Sequence, residues 1–313
     1  MIKYTIRRLF VMIPVLFGVT VVISSLIYFS PGNPAQLALG QGATAEAVQQ
    51  LEREMGLHQP AYVRYFEWVQ SAVRGDFGQS LQTGRSVTDL MLSRLPATLE
   101  LVRASMVIML VIALPLGVYS AVKQYTWADN ASMLFALFWI SMPSFWLGLV
   151  LIMLLSVRWG IFPISGRSGG VLSLTALSFL VLPAFANGAR RAGLLTRMTR
   201  GAMLEVLNED YIRTARGKGI GERTVIYTHA MKNAMIPVIT LIGLQVPTLV
   251  SASVIIEIVF AWPGMGRLLV DAVFQRDYPV VQGTVFMYAI MVMVANLAVD
   301  LLYSYFDPRI QYD

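Results

Sequence analysis

The chain has 313 residues, of which 56% are hydrophobic and only 13% carry a formal charge. Soluble domains carry charge on about 25% of their residues, so this composition indicates a membrane protein and does not fit a soluble globular domain. We interpret the net charge of +6 as a signal of membrane orientation, and not as a nucleic-acid-binding surface. The absence of cysteine excludes disulfide bonds, thiolate metal ligands and a cysteine nucleophile.

Six segments are long and apolar enough to cross a membrane, which takes about 20 helical residues. The fourth is the weakest, because Arg190 and Arg191 interrupt it. The first segment resembles a signal peptide, but its apolar run is too long and no cleavage site follows it, so we expect it to be retained. The six predicted spans are Leu9–Phe29, Thr98–Val122, Ala131–Val157, Val171–Leu195, Ile236–Phe260 and Thr284–Phe306.

Basic residues lie mainly on one side of these spans, at the N-terminus and between the fourth and fifth spans. Because short cytoplasmic loops are enriched in Lys and Arg, we predict that both termini are cytoplasmic. The long segment Pro31–Leu95 is then extracytoplasmic, and its apolar patterns between glycines and prolines predict helices. This segment would cap the first two spans, form a platform for a partner protein or line a substrate entrance; the residues leave these alternatives open.

The loop at residues 208–234, between the fourth and fifth spans, is expected to form two short helices. Asp210 falls in the first turn of the first helix, where a carboxylate favours the helix dipole. Three glycines at alternate positions would weaken a continuous helix, and a second helix is predicted to begin near Glu222. These glycines are Gly217, Gly219 and Gly221.

The second helix of this loop has a small apolar face with a basic rim. Such a helix could dock in a groove of a cytoplasmic partner, or it could be a charged connector on the membrane surface. Pro237 is expected to separate it from the fifth span. The apolar face consists of Ile226, Ala230 and Ala234.

The loop resembles the EAA loop of bacterial ABC importer permeases in its peptide-permease form. The run YIRTARGKG at Tyr211–Gly219 and the run HAMKNAMIPV at His229–Val238 carry this likeness. Other motifs of the same family occur in order along nearly the whole chain, which therefore resembles the first permease subunit of the dipeptide, oligopeptide and nickel class. They are GDFGQSL at Gly75–Leu81, MPSFWLG at Met142–Gly148, FAWPGMGRLLVDAV at Phe260–Val273, RDYPVVQG at Arg276–Gly283, NLAVDLLY at Asn296–Tyr303 and DPRI at Asp307–Ile310.

This resemblance implies an all-α type I ABC importer transmembrane domain in the bacterial inner membrane, with residues 1–95 and 96–313 as its two regions. It also implies a second permease subunit, two ATPase subunits that use ATP and Mg²⁺, and an extracytoplasmic solute-binding protein. The expected function is import of a peptide-like solute by alternating access. A nickel chelate, an opine or an oligosaccharide is the alternative cargo, and an ATP-independent secondary transporter is a more distant alternative.

The resemblance to the EAA loop assigns positions in this loop. Arg213, Thr214 and Ala215 stand in the place of Glu-Ala-Ala, and Gly219 stands in the place of the family's invariant glycine. The chain departs from the general pattern because the glutamate and first alanine are replaced, and because Met231–Lys232 stands where Leu-Pro is usual. The predicted ATPase-coupling residues are Asp210, Arg213, Thr214, Ala215, Arg216, Gly219, His229 and Asn233.

No catalytic centre, bound cofactor or metal site is predicted. Lys218 has glycine neighbours, but Ile212 and Gly219 occupy the positions where a phosphate-binding loop requires Gly and Ser or Thr. The only two histidines, His58 and His229, are predicted on opposite sides of the membrane. ATP must therefore be handled by partner chains.

Polar residues within the predicted spans are candidates for a substrate pathway or for hydrogen bonds between helices. The pathway candidates are Asn187, Gln245, Asn296 and Asp300. The candidates for docking the binding protein are Asp76, Trp262 and Asp277. Glu100 and Arg103 are expected to form an i, i+3 ion pair at the membrane edge.

Overall fold

The structure, a computed structural model, describes residues 2–28, 34–39, 42–54, 56–168 and 173–306. Within these ranges the regular elements are helices, which confirms the predicted all-α class, and an isolated β-bridge joins Gln79 and Ser86. The ends of two predicted spans, at Phe29 and Val171, and the DPRI motif lie outside the described residues.

The N-terminal half begins with a long helix, continues through three short ones and returns to a long helix. They are α1 (Ile2–Tyr28), α2 (Pro34–Leu39), α3 (Ala45–Glu54), α4 (Ala61–Val73) and α5 (Val87–Val122). The predicted helical segment after the first span corresponds to α2, α3 and α4. α5 joins the end of that segment to the second predicted span in a single helix of 36 residues.

The rest of the described chain contains eight α-helices and two π-helical segments. They are α6 (Trp127–Ser141), α7 (Ser144–Leu151) with a π-helical extension at Ile152–Arg158, α8 (Leu174–Leu207), α9 (Asp210–Gly217), α10 (Glu222–Thr224) with a π-helical segment at Val225–Ala230, α11 (Met231–Val259), α12 (Met265–Gln275) and α13 (Tyr278–Phe306).

Four described helices are long and apolar enough to cross a membrane: Thr5–Ser25, Val87–Val122, Glu222–Val259 and Tyr278–Leu301. A fifth span arises if Trp127–Ser141 and Ser144–Arg158, which are bent by 102° at their junction, form one broken span. α8 contains the fourth predicted span but does not meet the same criterion. The total of six spans therefore stays a prediction.

The described residues divide into two compact units. One contains residues 99–262 and those from 294 onward, and the other contains residues 2–98 and 263–293. The second unit thus combines the N-terminal region with a short stretch of the C-terminal half.

In the first unit, α8 packs against α6, α7 and α11. Two glycines allow backbones to approach closely. A Cβ atom on Gly193 would lie 2.5 Å from the Ala136 carbonyl oxygen, and one on Gly188 would lie 2.7 Å from the Ser105 carbonyl oxygen. Small residues permit this kind of helix packing in membranes, where dispersion contacts between closely spaced helices provide much of the association energy.

In the second unit, aromatic contacts and a hydrogen bond join α4 and the residues that follow it to α1 and α13. Phe286 packs against Trp68 and Phe77, with ring centroids 5.8 and 5.7 Å apart. The hydroxyl groups of Thr20 on α1 and Tyr65 on α4 are 2.8 Å apart. The helical segment is therefore packed against α1 and α13 within this unit.

Candidate coupling loop and transport pathway

The loop at residues 208–234 is a helical hairpin. α9 ends at Gly217, and the next helix starts at Glu222, as predicted. Between them Gly219 adopts a φ of +77°, in the left-handed region that favours glycine. An added Cβ at Gly219 would have no neighbour within 4 Å, so the backbone angle alone requires glycine at this position.

The hairpin packs its apolar face against the ends of α5 and α8. Ile212 and Ala215 of α9 are buried there together with the predicted apolar face of the second helix. This cluster consists of Val118, Ala121, Met203, Ile212, Ala215, Val225, Ile226, Ala230 and Ala234. The chain's own core therefore covers this apolar face, and docking of the loop in a partner's groove, which would have to use its other faces, stays a prediction.

Two polar contacts join the two arms of the hairpin. Arg216 places its Nη2 and Nε atoms 2.8 and 3.1 Å from the two carboxylate oxygens of Glu222. This hydrogen bonding raises the pKa of Arg216. The Asn233 amide also donates to the Tyr211 hydroxyl at 2.6 Å. Both contacts are exposed, so they help to orient the two arms of the hairpin but contribute little to the free energy of unfolding.

The outer face of α9 is polar and accessible. Asp210 and Arg213 form an exposed i, i+3 pair with an oxygen–nitrogen distance of 3.2 Å, and Thr214 is exposed beside them. Asn233 is exposed and His229 is half-buried. Of the predicted coupling residues, Ala215 lies in the core and the others have at least partial access to the surface.

The second arm of the hairpin continues into the membrane helix without a break. The helix runs from Glu222 to Val259, with Pro237 and Pro247 inside it. The prediction that Pro237 separates the loop from the fifth span is therefore wrong. Membrane helices tolerate internal proline where other groups satisfy the freed carbonyl. At 1.5 Å per residue this helix of 38 residues is about 57 Å long, and it contains both the second arm of the loop and the span.

An ion pair between the buried Asp129 and the half-buried Arg200 holds α6 against α8 near this hairpin. Arg200 donates from Nε and Nη2 to the two oxygens of Asp129, both at 2.7 Å. The Ser120 hydroxyl and the Tyr125 backbone N–H complete the bonding of the carboxylate, at 2.5 and 3.1 Å. The sequence shows basic residues in this region, but it did not predict that Arg200 pairs with Asp129, because the two residues are 71 positions apart.

The pathway candidates have different environments. Asn187 is fully buried and donates to Ser105 Oγ at 3.1 Å and to the Leu249 carbonyl at 3.4 Å. Gln245 is half-buried beside Thr248, Asn296 is exposed, and Asp300 is half-buried. The interpretation of Asn187 as a group that joins helices is the one that its contacts favour.

Arg191 lies between two of these candidates. Its Nη1 atom donates to the Asn187 carbonyl at 3.0 Å, and its Nη2 atom donates to the Thr248 carbonyl at 2.7 Å. Gln245 approaches Thr248 from the other side. Arg191, one of the two arginines that interrupt the fourth predicted span, is thus part of a polar site between α8 and α11.

Only one docking candidate presents its side chain to the surface. Asp76 is exposed and accepts a hydrogen bond from the Gly78 N–H at 2.9 Å. Trp262 is fully buried. Asp277 is 3% exposed and accepts hydrogen bonds from Ser80 Oγ at 2.5 Å and Leu81 N at 3.1 Å. In this structure Trp262 and Asp277 stabilise the fold around them.

Glu100 does not pair with Arg103 as predicted. Its carboxylate accepts from Nη2 and Nε of Arg167, at 2.7 and 2.8 Å. Arg167 also lies over the Trp262 ring, 6.0 Å from its centroid. A pair predicted from local helical spacing is thus replaced by one between distant parts of the chain. Among the described residues, no group of three or more His, Asp or Glu side chains could hold a metal ion.

A multi-pass helical protein whose loop continues directly into a spanning helix has the architecture of a membrane transport component. Residues 113–312 match the family described as "Binding-protein-dependent transport system inner membrane component", and residues 1–102 match the corresponding N-terminal family. The chain belongs to this family and is a multi-pass protein of the bacterial inner membrane.

Full-length relatives agree with this assignment. The chain is 41% identical to the oligopeptide transport system permease protein AppB of Bacillus subtilis, over all of both chains. It is 39% identical to the dipeptide transport system permease protein DppB of Escherichia coli K12, over all of this chain and 99% of the relative. It is 40% identical to the glutathione transport system permease protein GsiC of the same strain, again over all of both chains.

Solved structures share the fold. A structure of the MetNI methionine ABC transporter in an inward-facing conformation aligns with a TM-score of 0.58 and 18% identity, covering 70% of this chain and 96% of that one. An amino acid ABC transporter aligns with a TM-score of 0.53 and 14% identity, covering 70% and 94%. The fold is therefore that of an ABC importer transmembrane domain.

Proposed function

We propose that this chain is one permease subunit of an ATP-driven importer that moves peptide-like solutes into the cytoplasm. The relatives that cover its full length are permeases of oligopeptide, dipeptide and glutathione systems, and these cargoes share peptide chemistry. The working complex contains a second permease subunit, two ATPase subunits and a solute-binding protein. ATP and Mg²⁺ are used by the ATPases, and this chain supplies the moving wall of the pathway.

The hairpin at residues 208–234 is the element that receives force from an ATPase. The supporting observation is the unbroken helix Glu222–Val259, which joins the hairpin to a membrane span. Because its apolar face is fixed to α5 and α8, the hairpin moves with these helices as a lever. The contact with the ATPase is made by the opposite polar face, through Asp210, Arg213 and Thr214. Closure of the ATPases then displaces the span and opens the pathway outward, which is alternating access.

The pathway candidates Gln245, Asn296 and Asp300 line this route in our proposal, and Asn187 supports it from the helix interface. Asp76 contributes to docking of the binding protein on the extracytoplasmic side. Asp277, which is buried in the same compact unit as Asp76, supports that unit from within.

The absence of cysteine from the chain provides a direct test of the docking face. A Thr214→Cys variant, assembled with its ATPases, is treated with a bifunctional thiol reagent. We expect cross-linking to an ATPase cysteine that changes in yield with nucleotide. The matched control is Tyr62→Cys, because Tyr62 is 66% exposed but lies in the segment predicted to be extracytoplasmic. Cross-linking of Tyr62→Cys, or none from Thr214→Cys at any nucleotide state, would contradict the proposal.

Transport itself is tested with the purified complex in proteoliposomes. Uptake of a labelled dipeptide should require the binding protein and ATP hydrolysis. Uptake by the permease subunits alone, driven by an ion gradient without ATPases, would instead support the secondary-transporter alternative.

A further inference from the structure

Two adjacent arginines, Arg190 and Arg191, lie in the middle of α8, and neither has an acidic partner among the residues that the structure describes. Arg191 donates to Thr248 Oγ1 at 3.1 Å as well as to the carbonyls of Thr248 and Asn187. These three acceptors are neutral, so they orient the guanidinium without cancelling its charge. Arg190 is exposed and has no hydrogen bond or ion pair with any residue in the described ranges.

The contact with Thr248 places Arg191 within the predicted spans. Thr248 is the midpoint of the predicted fifth span, Ile236–Phe260, and it lies within the long apolar helix Glu222–Val259. Arg191 is bonded to it, and Arg190 is the preceding residue. Both arginines also lie within the predicted fourth span, five and four residues before its end at Leu195, so their charges lie inside the membrane. Ionisable side chains at that depth face a bundle interior or a water-filled cavity, because exposure to lipid is costly.

The surface beside these arginines on α11 is polar as well. Thr248 and Ser251 are exposed, and Gln245 is half-buried with its Oε1 atom 3.3 Å from Thr248 Oγ1. A run of polar side chains at mid-membrane depth is typical of a transport route and not of a lipid-facing surface. The route has a positive potential at this level, since neither arginine pairs with a carboxylate in the described part of the chain.

We propose that Arg190 binds the C-terminal carboxylate of the peptide as it passes along the pathway within the membrane. A guanidinium donates two parallel hydrogen bonds to a carboxylate, and every unmodified peptide carries that group whatever its side chains are. Arg191, held by Thr248, adds positive charge beside it, and Gln245 offers a further hydrogen bond. This inference builds on the proposed function, because it names the chemical group of the cargo that the pathway recognises.

Substitutions of Arg190 and of Arg197, which lies two helical turns further along α8, test the inference. In proteoliposomes containing the complete complex, Arg190→Gln should lower dipeptide uptake about tenfold or more, the range for loss of a charge-assisted hydrogen bond. Arg190→Lys should retain much of the rate, since it keeps the charge. Arg197→Gln is the matched control: Arg197 is exposed seven residues further along the same helical face, beyond the predicted end of the span at Leu195. It should transport near the wild-type rate.

Assembly of the complex and its ATP hydrolysis are measured as well, because both would change if Arg190 had only a structural role. Arg190→Gln should co-purify with its partners and hydrolyse ATP normally in response to the loaded binding protein. Loss of co-purification would show that Arg190 contacts another subunit, and unchanged uptake would show that its charge is not used; either result overturns the inference. If the wild-type complex itself imports no dipeptide, the proposed function fails, which is a different result from failure of the Arg190 assignment.

A cysteine at this site adds a test of access and of charge. Arg190→Cys would be the only cysteine in this chain. It should react with water-soluble methanethiosulfonate reagents, and a dipeptide-loaded transporter should react more slowly. A trimethylammonium adduct should restore part of the uptake, whereas a sulfonate adduct of similar size should not. An unreactive thiol, or equal effects of the two adducts, would overturn the proposal.

Discussion

The guanidinium of Arg216 and the carboxylate of Glu222 face each other across the Gly219 turn, with nitrogen–oxygen distances of 2.8 and 3.1 Å. Arg216 is near the end of α9, and Glu222 begins the helix that continues to Val259. The pair therefore connects α9, the arm that we propose contacts an ATPase, with the arm that continues into the membrane span. This relationship leads to the first prediction.

Reversing one charge of the pair should weaken coupling more than stability. Arg216→Glu places two carboxylates together, and we expect slower peptide uptake per ATP hydrolysed. Because the pair is exposed, its contribution to unfolding free energy is only about 0–1 kcal/mol, so thermal unfolding should change little. The double variant Arg216→Glu with Glu222→Arg should recover coupling. Failure of the double variant to recover would mean that Arg216 acts through a partner and not through Glu222.

Gly219 should tolerate no β-branched residue. Gly219→Val forces a left-handed backbone angle that costs about 1–3 kcal/mol, although no neighbouring atom blocks the new side chain. We expect reduced assembly with the ATPases and reduced ATP-driven uptake. Gly221→Val is the matched control, since Gly221 has a φ of −59° and equally open surroundings. Equal behaviour of the two variants would refute the assigned role of the turn.

The Asp129–Arg200 ion pair should be important for stability. Asp129→Asn removes a buried carboxylate that Arg200, Ser120 and Tyr125 all bond, and it leaves the half-buried guanidinium of Arg200 without its counter-ion. We expect a loss of about 1–3 kcal/mol, measured by thermal unfolding of the detergent-solubilised protein. The control Asp271→Asn breaks an exposed pair with Arg267 at 3.7 Å and should cost less than about 1 kcal/mol. Similar losses in both variants would contradict this interpretation.

Gly193 should be sensitive to addition of a single methyl group. Alanine normally favours a helix by about 1 kcal/mol over glycine, but its Cβ here would lie 2.5 Å from the Ala136 carbonyl oxygen. Gly193→Ala should therefore destabilise the packing of α6 and α8. Gly201→Ala lies on the same helix with no atom within 4 Å and should be neutral or stabilising. Thermal unfolding of both variants measures the difference, and a stabilised Gly193→Ala would show that the helices are not this close.

The two acidic docking candidates should behave differently. Asp277→Asn weakens the bonding of Ser80 and Leu81 to a buried carboxylate, and it should lower thermal stability by about 1–3 kcal/mol. Asp76→Asn changes an exposed side chain and should leave stability unchanged while weakening binding of the solute-binding protein. Binding is measured by titration of the reconstituted complex. Unaltered affinity in Asp76→Asn would remove it from the docking surface.

Features that depend on neighbouring residues were predictable from the sequence. The glycines around Lys218 indicated a break between two helices, and the second helix begins at Glu222 as expected. The apolar spacing of Ile226, Ala230 and Ala234 correctly indicated a buried face. Backbone preference and helical period are local properties, so a single sequence contains them.

Other expectations depended on contacts between distant segments and were incorrect. Pro237 did not end the helix, because packing and membrane helix geometry outweigh the local preference of proline. Glu100 pairs with Arg167 and not with the nearer Arg103. The sequence also left open what covers the apolar face of the hairpin, which packs against α5 and α8.

The amino-acid sequence by itself determined that this is an all-helical membrane protein with a glycine-jointed loop, because hydropathy and backbone preference act over a few turns of helix. Only the tertiary structure decided which face of that loop is free, that the loop and a membrane span are one helix, and that Arg191 binds Thr248 of the neighbouring helix. Those properties depend on contacts between segments that are distant in the sequence. The free energy of packing helps select among such contacts, and local sequence patterns do not distinguish them.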